Sequence, residues 1–166
     1  MKHDPEHKPA LLVSACLLGQ PVRYDGASKG LPATLRDTLA AHFRLLVICP
    51  EVAGGLPTPR PPAELSGGDG HAVLQQEASV RTASGADVSA AFVAGAQQAL
   101  QLAQQQHCRL ALLKANSPSC GNRQVYSGRF DGQLLAGQGV TAALLSAHGI
   151  TVYNETQLAQ LLPLPD

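Results

Sequence analysis

Four short apolar runs recur along the chain at wide intervals: Leu11 to Ala15, Arg44 to Ile48, Arg109 to Ala115 and Ile150 to Tyr153. They are too short for amphipathic helices and almost free of internal polar positions, the pattern of strands covered on both faces. Helical periods lie between them. From Pro32 to Phe43, Leu35, Leu39 and Phe43 fall at i, i+4 and i+8, with Pro32 near the first turn. Asp87 opens the clearest helix as its N-cap, and Phe92, Ala96, Leu100 and Ala103 form one stripe. Val140 to Ala147 reads as a short helix stopped by Gly149, and Glu155 to Leu162 as a terminal one. Strands alternating with helices predict an α/β fold, a single domain with a mainly parallel β-sheet flanked by helices. With 166 residues, the chain is long enough for one domain with a real core, expected over residues 11–166 behind a polar tail at residues 1–10.

The remaining segments hold much of the chain's 16 Gly and 12 Pro, which places long Gly/Pro loops at the carboxyl edge of the sheet. Cys16 to Gly30 reads as loop, and so does the proline- and glycine-rich stretch Glu51 to Gly70. Val73 to Arg81 is expected to form one or two short strands. Between Gln124 and Gly139, glycines alternate with short apolar groups, which suggests turns and a small hairpin.

Charge narrows the partners. Twelve Lys and Arg balance twelve Asp and Glu, and charged residues make up only 14%, so the clustered cations of a nucleic-acid backbone binder are missing. Three Phe, three Tyr and no Trp leave little for a single-strand stacking platform. No apolar stretch approaches the roughly 20 residues of a membrane span, and MKHDPEHKPA lacks a signal-peptide hydrophobic region. A cytoplasmic protein with no membrane or nucleic-acid partner is expected.

In a reducing compartment the four cysteines, Cys16, Cys49, Cys108 and Cys120, are candidates for metal ligation, catalysis or inert burial rather than disulfides. Cys16 follows the first predicted strand, Cys49 the second, and Cys120 lies in the loop after the third. Ligands of open α/β sheets bind outside the carboxyl ends of the strands, so three parallel neighbours would bring all three thiols to one edge. Three thiolates favour soft metals, whether zinc, copper(I) or an iron–sulfur cluster; a nucleophilic cysteine or buried inert thiols are the alternatives. Cys108, between a helix end and a strand start, reads as a packing residue. The six scattered histidines, without an HxxxH pair, read as surface or packed residues.

The segments VSACLLGQPVRYDG (13–26), VICPEVAGGLPTPRPPAE (47–64), GADVSAAFVAGAQQAL (85–100), LLKANSPSCG (112–121) and GQGVTAALL (137–145) together resemble a family of small bacterial proteins, long filed as a domain of unknown function, that includes the thiouracil desulfidases. The resemblance runs from about Leu11 to Val152, with CPE, PTPRPPAE and SPSCG in order. It implies a [4Fe-4S] cluster ligated by Cys16, Cys49 and Cys120, with one iron free for the substrate's sulfur. It also implies catalytic roles for Glu51 and Ser117, and a small thiolated base or nucleoside, such as 2-thiouracil, as substrate. Cys108 matches no family motif.

Each of these residues has a plainer reading. Glu51 fits a salt bridge to Arg60, and Ser117 a Ser-Pro turn that orients the cysteine loop; Ser119 fits a turn better still. Arg23, Tyr24 and Asp25 either close over the site or form an Asp-Gly turn with an outward Arg. Arg60 either anchors its loop to a carboxylate, the favoured reading, or contacts substrate, and Gly54 and Gly55 are expected to permit close backbone approach near the cluster. A cluster protein for sulfur carriage or sensing without turnover, or a zinc or thiol enzyme of unknown substrate, are the competing functional classes.

Overall fold

The structure is a computed structural model and describes residues 8–27 and 30–162. In chain order its elements are β1 (Ala10–Ser14), α1 (Ala33–His42), β2 (Arg44–Ile48), α2 (Pro50–Ala53), β3 (Ala63–Ser66), α3 (Gly70–Leu74), β4 (Ser79–Thr82) and α4 (Ser89–Gln105). There follow β5 (Leu110–Leu113), β6 (Gln124–Tyr126), β7 (Leu134–Ala136), α5 (Val140–Ala147), β8 (Thr151–Asn154) and α6 (Leu158–Leu161). No helix among the described residues is long and apolar enough to cross a membrane.

The four predicted apolar runs form one parallel sheet in the order β2-β1-β5-β8. Its side chains divide by the alternation of a strand. Ala10, Leu12, Ala111 and Leu113 face α4 and α5 through Ala99, Ala103 and Leu145. Leu11, Val13 and Leu112 face α1 and α6 through Leu39, Phe43, Leu158 and Leu161. Burying a Leu or Val side chain contributes about 1.5–3 kcal/mol, which explains why β1, covered on both faces, is apolar from Ala10 to Val13. A third cluster, with Leu65, Val73, Val80, Phe92 and Val125, joins α4 to two small antiparallel pairs, β3–β4 and β6–β7. Because every strand of the main sheet points the same way, all four C-terminal ends emerge along one edge.

The α/β class, the mainly parallel sheet, the hairpin, and the spans of β2 and α5 match expectation. Several local expectations do not. Residues 51–70 are not one long loop: Pro50–Ala53 is a helical turn with Pro50 at its start, and Ala63–Ser66 is a strand paired with β4 from Ala63↔Thr82 to Ser66↔Ser79. The prolines stop at Pro62, which frees the next residues for a ladder. Residues 73–81 are not all strand, because the Asp69 carboxylate accepts the His71 and Ala72 N–H groups and opens α3. The expected loop 16–30 begins inside a 3-10 turn, Ala15–Leu18, ended by Gly19 at φ 91°. Asp87 lies one residue ahead of the N-cap, Val88, while accepting the Ser89 N–H at 2.9 Å. The terminal helix begins as a 3-10 turn, Glu155–Gln157, under an Asn154 capping box. Of the expected tail, residues 1–7 lie outside the described residues, and Ala10 already pairs in β1.

Gly54 does not serve close approach near the thiols. It lets α2 lie against α4, where a Cβ at Gly54 would meet Ala91 O at 2.0 Å and one at Gly95 would meet Pro50 O at 1.9 Å. Gly55 instead ends the turn at φ +101° with open space around it.

Candidate active site

The three strand ends open into a cavity of about 520 Å³, within the range of small-molecule sites, lined by Cys16, Cys49 and Cys120 together with Glu51, Arg60, Lys114 and Ser117. A larger but more open depression of about 720 Å³ lies along α3 and α4. It contains no cysteine, so the chemistry belongs to the first.

Each thiol is fixed differently. Cys16 sits in the 3-10 turn directly after β1 and is buried. Cys49 precedes α2 and points its thiol toward Val22 O at 3.8 Å. Cys120 lies in the loop after β5, and the Ser14 hydroxyl donates to its sulfur at 3.6 Å while accepting the Lys114 N–H at 3.0 Å. Ser117 Oγ accepts the N–H groups of Ser119 and Cys120, both at 3.1 Å. Carbonyls of the same loop receive the first N–H groups of α5: Val140 donates to Pro118, and Thr141 and Ala142 donate to Ser119. The Ser119 and Thr141 hydroxyls meet at 2.8 Å. The helix start thus completes the cysteine loop, and Ser117 performs the turn role read for it while keeping an O–H free to donate.

Burial pushes the Cys16 thiol up to about 11 and the Cys120 thiol up to about 12, and the neighbouring thiols add to both. Three bare thiolates lining one cavity repel one another, so the site asks for positive charge. Among the described residues no three His, Cys, Asp or Glu side chains stand together as ligands of a single ion. Thiols spread around a cavity suit a polynuclear group, in which each sulfur meets a different metal.

Arg60 is the structural hub on the opposite wall. Its guanidinium is buried and donates to Glu51 Oε1 at 3.1 Å, Pro57 O at 3.1 Å, Thr58 Oγ1 at 3.1 Å and Val22 O at 3.1 Å. Its own N–H donates to Tyr24 O at 2.6 Å. The expected anchoring to a carboxylate is therefore observed, and the same residue draws the Val22–Tyr24 loop over the cavity. Burial raises the Glu51 carboxyl above its ordinary range, opposed by Arg60. Asp25 forms the turn read for it, accepting the Ala27 N–H at 2.9 Å, while Arg23 and Tyr24 line the cavity and stack at 5.8 Å.

Cys108 lies elsewhere. It is buried beside the N-terminal end of β5, donating to Leu110 O at 3.1 Å and Ala10 O at 3.4 Å.

Several wall residues were not singled out by the sequence, Lys114 among them although it lies in LLKANSPSCG. Lys114 pairs with Glu155 at 2.7 Å, and Glu155 also accepts the Ala115 N–H. Tyr126 and Phe130 arrive from the hairpin. Only the scarcity of aromatics hinted at them: Tyr24, Tyr126 and Phe130 are half of the chain's Phe and Tyr.

The chain is similar to known proteins over nearly its whole length. It is 42% identical over 152 residues to the uncharacterized protein YbbK of Bacillus subtilis, covering 92% of this chain and 99% of that protein. Its fold matches a solved [4Fe-4S]-dependent thiouracil desulfidase, TudS, with TM-score 0.84 and 55% identity over 93% of this chain and 95% of that one. The model of the 2-thiouracil desulfurase family matches residues 11–157, and with three strand-end cysteines in one cavity the chain belongs to that family.

Proposed function

We propose that this chain is a [4Fe-4S]-dependent desulfidase that converts a small thiolated pyrimidine, 2-thiouracil by the family's name, to its oxo form with release of sulfide. One observation carries the proposal: three thiols from three separate strand ends share a cavity with a partly buried carboxylate. The 55% identity to a [4Fe-4S]-dependent thiouracil desulfidase supports the cofactor and the substrate class. The donor set fits such a cluster, being three soft sulfurs whose mutual repulsion a polycationic group relieves. Cys16, Cys49 and Cys120 would hold it, and when bound it supplies a thiophilic Lewis acid at the iron that lacks a cysteine.

The chain's own residues handle water and protons. Net conversion adds water across the thiocarbonyl carbon: the water oxygen bonds to carbon, the carbon–sulfur bond breaks, and both water protons leave with sulfur as hydrogen sulfide. Glu51 takes a proton from the water and returns it to the departing sulfur. Arg60 holds Glu51 through Oε1, so that Oε2 is the atom free to exchange the proton. The Ser117 hydroxyl donates to the substrate's oxygen or to the water. Balanced charge supports a free base or nucleoside over a thiolated polymer, and four free cysteines suit a reducing, cytoplasmic setting.

Anaerobic purification, reconstitution with iron and sulfide, and an assay on 2-thiouracil test the proposal. A brown, iron-loaded protein that releases sulfide and uracil is expected; a loaded protein that releases no sulfide from any thiobase would exclude turnover. Glu51→Ala should keep its iron and lose turnover, and loss of iron as well would make Glu51 a structural residue.

A further inference from the structure

Two aromatic side chains of this protein are buried in the core, Tyr153 is partly buried against it, and three line the cavity. Phe43 and Phe92 are buried at 7% and 1% exposure, as packing residues should be, whereas Tyr24, Tyr126 and Phe130 remain 38–39% exposed on the wall of the thiol cavity. Exposed aromatic faces in a concave site are apolar surface left for an occupant to cover.

Phe130 is the most deliberately placed of the three. Its backbone is left-handed at φ 55°, a conformation that a bulky residue holds only where its surroundings impose it. Those surroundings are identifiable. Glu64, on β3, accepts the Gly128 N–H at 2.9 Å and the Phe130 N–H at 3.2 Å through one carboxylate oxygen. Gly128, at φ +91°, lies so close to β3 that a Cβ there would meet Leu65 O at 2.3 Å. Asp131 closes the loop on itself, accepting the Ser127 hydroxyl at 2.7 Å and the Gln133 N–H at 3.0 Å. Glu64 and the loop's own Ser127 and Asp131 hold the loop in place, and it presents a ring. A surface held ready in this way costs little further ordering when something binds.

We infer that Phe130, clamped by Glu64, is a specificity-determining residue that stacks on the substrate's ring and selects flat, conjugated heterocycles over puckered ones bearing the same thiocarbonyl. The identity of the ring rests on the desulfidase reading; the selection of its flatness does not follow from that reading. Glu64 also lines the cavity, and its role here is that of a positioning residue that acts through Phe130.

The test compares the reconstituted full chain with its Phe130→Ala, Phe130→Tyr, Glu64→Ala and Glu64→Gln variants at equal iron content. Two substrates share a thiocarbonyl: 2-thiouracil, which is flat, and 5,6-dihydro-2-thiouracil, whose ring is puckered. Calorimetric binding of uracil, which has no sulfur, reads stacking without turnover. Phe130→Ala should raise KM for 2-thiouracil and weaken uracil binding about 5- to 150-fold, the range of one lost base–aromatic stack. It should raise the dihydro substrate's KM by a clearly smaller factor, and Phe130→Tyr should retain both affinities. Glu64→Ala should show a smaller loss in the same direction, and Glu64→Gln, whose amide oxygen still accepts both N–H groups, should recover it. Equal losses on both substrates, or unchanged KM and uracil binding in Phe130→Ala, would overturn the inference. If the loaded wild type turns over no thiobase, the desulfidase proposal falls by itself and calorimetry still decides this one. Weaker uracil binding by Phe130→Ala then upholds stacking, and no uracil binding by wild type overturns it.

Discussion

Cys108 and Cys120 are equally buried, each 5% exposed, and they stand at opposite ends of one strand. Cys108 precedes β5 and gives its S–H to two backbone carbonyls. Cys120 follows β5 and meets Cys16, Cys49 and Glu51, whose charges push its thiol further up. Burial does not separate an inert thiol from a candidate ligand here; strand direction does. A parallel sheet gathers whatever follows its strands along one edge and whatever precedes them along the other.

The comparison breaks most visibly at the cysteines themselves. Cys16→Ser, Cys49→Ser and Cys120→Ser should each lower bound iron from about four atoms per chain to a small residue, with loss of the brown absorbance and of sulfide release. Cys108→Ala should retain iron, colour and activity, losing no more than about 1–2 kcal/mol of stability from a sulfur-sized cavity. Iron analysis of anaerobically reconstituted variants reads all four. Iron lost equally from Cys108→Ala would erase the distinction between the two ends.

Arg60→Ala should have the next largest effect, because it leaves Glu51 without its partner in a buried wall and vacates three further acceptors. Breaking a buried pair costs about 3–5 kcal/mol, and the loss should appear as a lowered denaturant midpoint together with lost turnover. Arg60→Lys should recover little, since one ammonium cannot reproduce the planar fork that reaches four acceptors. Full stability in Arg60→Lys would show that charge, not geometry, holds this wall.

The two ends were not equally readable from sequence. The cysteine edge was, because continuous apolar runs announce parallel strands and a cysteine after each run inherits the position of that strand's end. Val13, Val47 and Leu112 occupy matching register positions, which locks those ends together. The opposite wall was not. β3 is specified by Leu65 pairing with Val80 across α3, a non-local contact, and the prolines just before it disguise a strand as loop. Phe130 is placed by Glu64, distant in sequence, and nothing in the spacing of either residue marks that contact. Ser117 and Glu51 were readable as alternatives only, and the hydrogen bonds realise their plainer roles: Ser117 orders the Cys120 loop, and Glu51 pairs with Arg60.

Two glycines sharpen the comparison at smaller scale. Gly95→Ala places a methyl 1.9 Å from Pro50 O, so α2 must move away from α4, and overpacking of this kind costs about 1–3 kcal/mol. Since α2 follows Cys49 and carries Glu51, turnover should fall by a larger factor than the stability loss suggests. Gly149, ahead of β8 at the other end, has φ +82° with nothing within 4 Å of a new Cβ. Gly149→Ala should cost about 1 kcal/mol for its left-handed backbone alone and leave kcat unchanged. Thermal melts beside turnover numbers separate the two, and a kcat loss in Gly149→Ala would mean that the ends are coupled through the sheet.

The smallest effect is expected at Arg44, the exposed arginine that opens β2 at the end remote from the thiols. Its Nη1 donates to Gln106 Oε1 at 2.7 Å and its Nη2 to Gln106 O at 3.4 Å, partners that water replaces at little cost. Arg44→Ala should therefore stay within about 0.5 kcal/mol of wild type with iron content and kcat unaltered. Arg44 makes two side-chain hydrogen bonds to one residue and Arg60 four to four, so bond number already ranks Arg60 above Arg44. Beyond that, Arg60 is buried against a carboxylate that has no other partner among the described residues. A loss in Arg44→Ala approaching that in Arg60→Ala would show that neither bond number nor burial beside a carboxylate sets how much each arginine contributes.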